Sequence, residues 1–66
     1  MKFTVIYNDE TFNKESDIDL TIKDVLDEIG LSSQTTISKR NGDIVIEDTS
    51  IQDGDTIQFV QIIYGG

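Results

Sequence analysis

Residues 21–31 read TIKDVLDEIGL, and this stretch decides the fold class. Its apolar residues recur at i, i+3, i+4 and i+7 and so form one stripe along a short helix; they are Ile22, Val25, Leu26 and Ile29. Thr21 is a favourable N-cap, and Asp24 stands three residues later, as in a capping box. Gly30 suits the left-handed residue that ends many helices. The pattern therefore predicts one helix with both ends marked.

Alternating apolar and polar residues on both sides of the helix predict five strands. Residues 1–7 (MKFTVIY) alternate, and turn residues at 8–10 return the chain as a more polar strand over 10–15. Downstream, Asn41-Gly42 is a strong hairpin signal between strands at 35–39 and 43–47. Residues 48–52 are expected to be irregular or a single helical turn. The turn at 53–55 then leads into a last strand over 56–63.

The predicted order is ββαβββ, and one helix packed on one sheet is a two-layer α+β fold. We expect the helix stripe to pack against residues of the sheet and the adjoining loop, namely Met1, Phe3, Val5, Leu31, Ile37, Ile57 and Phe59. Polar Gln58 sets the outward face of the last strand, and alternation places Val60 and Ile62 beside it. These two apolar side chains are either a docking surface or ordinary scattered surface apolarity.

Composition excludes several classes of function. Thirteen acidic and five basic residues give a net charge of −8, which disfavours nucleic acid and anionic membranes and favours a basic partner. No stretch is long enough to span a bilayer and no signal-peptide pattern is present, so we expect a cytoplasmic protein. The sequence has no Cys and no His. We therefore expect neither a bound cofactor nor a metal, and predict that the chain is not an enzyme.

Two consecutive glycines, Gly65 and Gly66, follow the last apolar strand. Because glycine lacks a Cβ, such an end can enter a narrow channel in the active site of another protein. Its chemistry is that of the Gly66 carboxylate, which is ionised at neutral pH and must be activated before a nucleophile attacks it. A partner that transfers AMP from ATP would supply that activation. The sequence thus predicts a carrier, with one domain over 1–63 and a flexible tail of Tyr64, Gly65 and Gly66.

Residues 53–66, DGDTIQFVQIIYGG, resemble the C-terminal signature of the ThiS/MoaD family of ubiquitin-like sulfur carriers, and most strongly the thiamine-pathway carrier. The positions that match are Asp53, Gly54, Asp55, Gln61, Gly65 and Gly66. The resemblance implies a β-grasp fold with a mixed sheet around the helix. It also implies adenylation of Gly66 by a ubiquitin-activating-type enzyme and conversion of its carboxylate to a thiocarboxylate.

The resemblance implies three partners: the activating enzyme, a sulfur donor and a sulfur-accepting synthase. Gln58, Val60 and Ile62, with Tyr64, would help to dock the activating enzyme. Tyr64 departs from the family pattern, in which a small residue is common at this position. Thiazole formation in the thiamine pathway is the leading hypothesis. Molybdopterin synthesis, tRNA thiolation, protein modification through Gly66 and a simple interaction module are the alternatives.

Overall fold

The structure, a computed structural model, describes residues 1–62; residues 63–66 lie outside the described range. Within that range the elements are β1 (Lys2–Tyr7), β2 (Glu10–Glu15), α1 (Ile22–Ile29), β3 (Thr36–Arg40), β4 (Asp43–Val45) and β5 (Thr56–Gln61). The predicted order of strands and helix is therefore confirmed. The predicted end of the domain at residue 63 and the tail beyond it fall outside the described residues.

The five strands form a single mixed sheet in the order β2-β1-β5-β3-β4. β1 and β5 are parallel, and the other neighbouring pairs are antiparallel. Each hairpin turn has two central residues with positive φ. In the first turn these are Asn8 (54°) and Asp9 (64°), and in the second they are Asn41 (52°) and Gly42 (90°). Two such residues characterise the type I′ turn, whose twist matches that of the flanking strands.

Helix α1 begins and ends at the residues that the sequence marks. The Thr21 side chain accepts from the Asp24 backbone N–H, and the Asp24 carboxylate accepts from the Thr21 N–H at 2.8 Å, which completes the capping box. Gly30 adopts the left-handed conformation, with φ of 81°. The side chains of Ile22, Val25 and Leu26 are buried, and they form the stripe that faces the sheet.

The core between helix and sheet confirms most of the predicted set, with Met1, Ile29 and Leu31 half-buried at its margin. Ile37 was wrongly predicted as a core residue. In the register of β3 with β5, Ser38 lies opposite Phe59 and Ile37 lies opposite Val60. Because opposite residues share a face of the sheet, Ile37 is on the outward face. The core side of β3 is instead occupied by Thr36 and Ser38, both buried.

The loop over 46–52 completes the core and holds the start of the helix. It is irregular, with one hydrogen-bonded turn in which Thr49 N donates to Ile46 O at 3.1 Å, and it buries Ile51, which sequence reasoning missed. Its carbonyls accept from the first free helical N–H groups, with Ile22 N donating to Thr49 O at 3.0 Å and Lys23 N donating to Glu47 O at 2.9 Å. This loop therefore ties the helix to the second half of the chain.

Candidate functional site

Strand β5, which leads to the C-terminal segment, is held on both sides. It lies between β1 and β3, and Gln61 is paired with Thr36 at its end. Beyond the strand, Ile62 N still donates to Thr35 O at 2.8 Å. The hydroxyl of Tyr7 donates to the Gln61 side-chain oxygen at 3.2 Å. The chain is thus fixed on the sheet as far as Ile62, and the four residues beyond it can span at most about 14 Å.

The Asp53-Gly54-Asp55 turn secures the opposite end of β5. The Asp53 carboxylate accepts from Lys2 N at 2.7 Å, and Gly54 N donates to Lys2 O at 2.7 Å. Gly54 has a φ of 84°, a conformation that glycine adopts without strain. These contacts attach the turn to the start of β1. The predicted turn is confirmed, and it sets where β5 begins.

Asp55 is buried, and its carboxylate joins the second hairpin to the turn that precedes β5. Its Oδ1 accepts from Asn41 Nδ2 at 3.0 Å, and its Oδ2 accepts from Gln52 N at 2.8 Å and lies 3.1 Å from Arg40 Nε. Asn41 in turn accepts from Thr56 N at 2.9 Å. The carboxylate is therefore structural. Across residues 1–62, no group of three or more His, Cys, Asp or Glu side chains is placed to hold a metal ion.

The outward face of the sheet carries the residues predicted to dock a partner. Gln58 is exposed, and Val60 and Ile62 are 40% and 38% exposed. Their neighbours on adjacent strands are Ile37, opposite Val60, and Ile6, beside Gln58. We call the apolar side chains of this face the outer patch, made up of Ile6, Ile37, Ile44, Val60 and Ile62. The structure shows this face to be accessible, and docking on it stays a prediction.

Sequence reasoning missed part of the outer patch. Ile44 is 72% exposed and lies opposite Lys39, which itself lies opposite Gln58. The turn at Asn41-Gly42 already implies the pairing of Lys39 with Ile44, so one signal was available in the sequence. The pairing of β3 with β5 joins residues distant in the chain, and no local signal reports it. The patch consequently extends over four strands instead of one.

The charges of the described residues leave the surface strongly acidic. Three of the five basic side chains are in intramolecular ion pairs, namely Lys14 with Glu28 at 3.0 Å, Lys23 with Asp27 at 3.4 Å and Arg40 with Asp55 at 3.1 Å. Little positive charge therefore remains on the surface to offset the thirteen acidic residues. Among residues 1–62, no helix has the length and apolar character needed to cross a membrane.

The sequence model of the ThiS family matches residues 5–66, which is almost the whole chain. The chain belongs to the ThiS family. This confirms the resemblance drawn from residues 53–66 and places the chain among ubiquitin-like sulfur carriers or modifiers, which are generally not enzymes. The match includes the terminal glycines, although residues 63–66 lie outside the described structure. The predicted attachment site Gly66 and the tail residues Tyr64 and Gly65 therefore stay predictions.

Solved structures of ubiquitin-like proteins confirm the β-grasp fold. SAMP1 from Haloferax volcanii superimposes with a TM-score of 0.75 over 100% of both chains, at 17% identity. The thiamine biosynthesis protein ThiS from Geobacter metallireducens gives 0.66 over 96% of this chain and 99% of its own, at 18% identity. A ubiquitin-like protein from Caldiarchaeum subterraneum gives 0.65 over 98% and 100%, at 17% identity. At these identities the similarity establishes the fold.

Proposed function

We propose that this protein is a sulfur carrier that is loaded at the carboxylate of Gly66. The ThiS-family match supports this proposal, because it extends through the last strand to Gly66. A partner enzyme would join the carboxylate to AMP from ATP, releasing pyrophosphate. A sulfur nucleophile would then form a C–S bond to the same carbon and expel AMP. The product is a thiocarboxylate whose sulfur can be donated.

The chain's own composition is compatible with a passive carrier. The sequence contains no Cys and no His, so it offers no thiol or imidazole that would capture the activated end. Donor, acceptor and activating enzyme would each approach Gly66 in turn. The fixed position of Ile62 supports this role, because all these partners would meet a short segment that starts from the same point on the sheet.

The outer patch would dock the activating enzyme. It lies on β5 and its neighbours, immediately before the C-terminal segment, so docking there would bring Gly66 toward the partner's active site. Gln58, Val60 and Ile62 are the exposed residues of β5 and its end that the proposal assigns to this contact. The net charge of −8 would favour a partner with a basic rim around an apolar centre.

For the pathway, thiazole formation in thiamine synthesis is our leading proposal. It rests on the family match and on the similarity to the thiamine biosynthesis protein of Geobacter metallireducens. Modification of target lysines through Gly66 is the second candidate, favoured by the similarity to a ubiquitin-like protein. Molybdopterin synthesis and tRNA thiolation use the same terminal chemistry. The cytoplasmic location stays a prediction.

The first experiment is the intact mass of the protein, purified from its own host without a C-terminal tag or thiol-reactive reagents. The carrier function predicts a mass gain equal to one oxygen exchanged for sulfur, localised to Gly66. Recovery of the protein joined to lysines of other proteins would instead favour the modifier function. Finding neither product would contradict both and leave a simple interaction module.

The matched control is a variant that lacks Gly65 and Gly66. Because the core and the described hydrogen bonds involve residues 1–62, the truncated protein is expected to keep its circular dichroism spectrum and melting temperature. It should nevertheless lose all sulfur loading when incubated with the activating enzyme, ATP and a sulfur source. Loading that persists in the folded, truncated protein would reject Gly66 as the attachment site.

A further inference from the structure

A second apolar surface lies on the helix side of the sheet, opposite the outer patch. It is a groove of about 340 Å³ between strand β2 and the end of α1. Val5, Tyr7, Phe12 and Ile29 supply its apolar lining. Phe12 lies opposite Val5, which faces the core, yet 39% of Phe12 is exposed. The groove thus presents an accessible aromatic side chain that the core does not cover.

Strand β2 also offers backbone groups beside this groove that have no strand partner within residues 1–62. Met1 and Ser16 exchange two backbone hydrogen bonds, at 2.7 and 2.9 Å, so they form a hydrogen-bonded pair. Such pairs alternate in an antiparallel ladder, which makes Thr11, Asn13 and Glu15 the residues whose N–H and C=O groups point away from β1. β2 is an edge strand of the sheet. These groups therefore face outward.

The bonds on the other side of β1 support this assignment. Residues of β1 that do not bond to β2 must direct their backbone toward β5. Thr4 N indeed donates to Asp55 O at 2.9 Å, and Lys2 O accepts from Gly54 N at 2.7 Å. Hydrogen bonds on both sides of β1 therefore agree on which residues of β1 bond to β2. They also establish which backbone groups of β2 point away from β1.

The surroundings of the groove are acidic. The first hairpin carries Asp9, Glu10 and Glu15, and all three are exposed. Its two lysines are Lys2, which lies opposite Glu15, and Lys14, which is paired with Glu28 of the helix at 3.0 Å. A ligand for this edge would therefore need backbone donors and acceptors, apolar side chains for the groove and positive charge for the rim.

We propose that β2 and the groove beside it bind an extended protein segment in which apolar and basic residues alternate, added to the sheet as a sixth strand. Strand addition supplies backbone hydrogen bonds, and alternate side chains enter the neighbouring pocket. This surface lies on the opposite face from the outer patch. A partner that carries such a segment could therefore bind while the activating enzyme occupies the other face, and the inference does not depend on sulfur transfer.

The probe is a capped synthetic peptide of alternating lysine and valine, titrated to millimolar concentration into the full, isotope-labelled protein. Amide chemical shifts should change at Thr11, Asn13 and Glu15 and at the groove residues Phe12 and Ile29, and binding should weaken as salt is added. A peptide alternating glutamate and valine should give no change. A lysine–valine peptide with methylated backbone nitrogens should bind far more weakly, because it lacks donors.

Two variants test the surface itself. Phe12→Ser should weaken binding about tenfold, whereas Val60→Ser, which alters an equally exposed side chain on the outer face, should leave binding unchanged. Asn13→Pro removes an outward N–H and leaves the bonds to β1 intact, so it should fold and lose binding even if Phe12→Ser proves unstable.

Several outcomes would overturn the proposal. These are the absence of shift changes with the lysine–valine peptide, changes confined to the outer patch, equal binding of the glutamate–valine peptide, and full binding by Asn13→Pro. Shift changes at β2 that appear with protein concentration alone would show that a second copy of the chain occupies this edge instead.

Discussion

The Asp55 carboxylate connects Arg40 and Asn41 of the second hairpin to the turn that precedes β5. We expect Asp55→Asn to lower the free energy of unfolding by about 2 kcal/mol. The substitution removes the buried negative charge that pairs with Arg40 and accepts a hydrogen bond from Gln52 N. Urea unfolding measures this difference. Asp43→Asn is the control, since Asp43 is exposed and its side chain makes no hydrogen bond or ion pair within residues 1–62. Its effect should stay within about 0.5 kcal/mol. Equal losses for both variants would contradict a structural role for Asp55.

Thr36 and Thr21 differ in the hydrogen bonding of their hydroxyl groups. Within residues 1–62, the buried Thr36 hydroxyl has no hydrogen-bond partner, whereas the Thr21 hydroxyl caps α1. Thr36→Val should therefore raise the free energy of unfolding by about 1 kcal/mol, because it removes an unsatisfied polar group at constant shape. Thr21→Val should lower it by about 1 kcal/mol. Thermal unfolding of both variants compares them, and a loss of stability in Thr36→Val would indicate that its hydroxyl is bonded.

Among the elements, the helix is the one that its own sequence specifies best. Its stripe, cap and terminal glycine all lie within ten residues, and the cap and the glycine act through hydrogen bonds between residues at most four apart. Type I′ turns are similarly local, because Asn41-Gly42 sets the hairpin twist by its own backbone angles. These elements appear where the sequence predicts them.

The loop over 46–52, in contrast, is not specified by its local sequence. Ile51 is 4% exposed and Ile46 is 73% exposed, although both are isoleucines of one irregular segment. Ile51→Ala should cost about 3 kcal/mol of stability by leaving a cavity in the core, whereas Ile46→Ala should cost less than about 0.5 kcal/mol. Chemical denaturation of the two variants decides this. A large loss for Ile46→Ala would mean that the loop packs with the other side chain inward.

At the scale of the whole molecule, the two faces of the sheet have separate predicted partners. Val60→Ser should raise the KM of the activating enzyme for this protein about tenfold, because it removes apolar contact from the outer patch, and kcat should change little. Phe12→Ser, on the other face, is the matched control and should leave KM unchanged. The rate of AMP release at varied carrier concentration gives both constants. A higher KM for Phe12→Ser with no change for Val60→Ser would place docking on the groove side.

The sequence by itself determined the helix with its caps, the two tight turns, the alternation of Gln58 and Val60 on the last strand and the family signature over 53–66. All of these depend on short spacings or on the chemistry of single residues. The structure of residues 63–66 lies outside the described range, so their role rests on the sequence and on the family match.

Only the tertiary structure decided that Ile37 faces outward, that Ile51 completes the core and that Asp55 joins the second hairpin to the turn before β5. It also decided that β2, beside Phe12, is an edge strand of the sheet that residues 1–62 form. Each of these depends on which strands lie side by side and in which register. A shift of register by one residue exchanges the two faces of a strand, and pairing between distant segments leaves no mark in either segment alone.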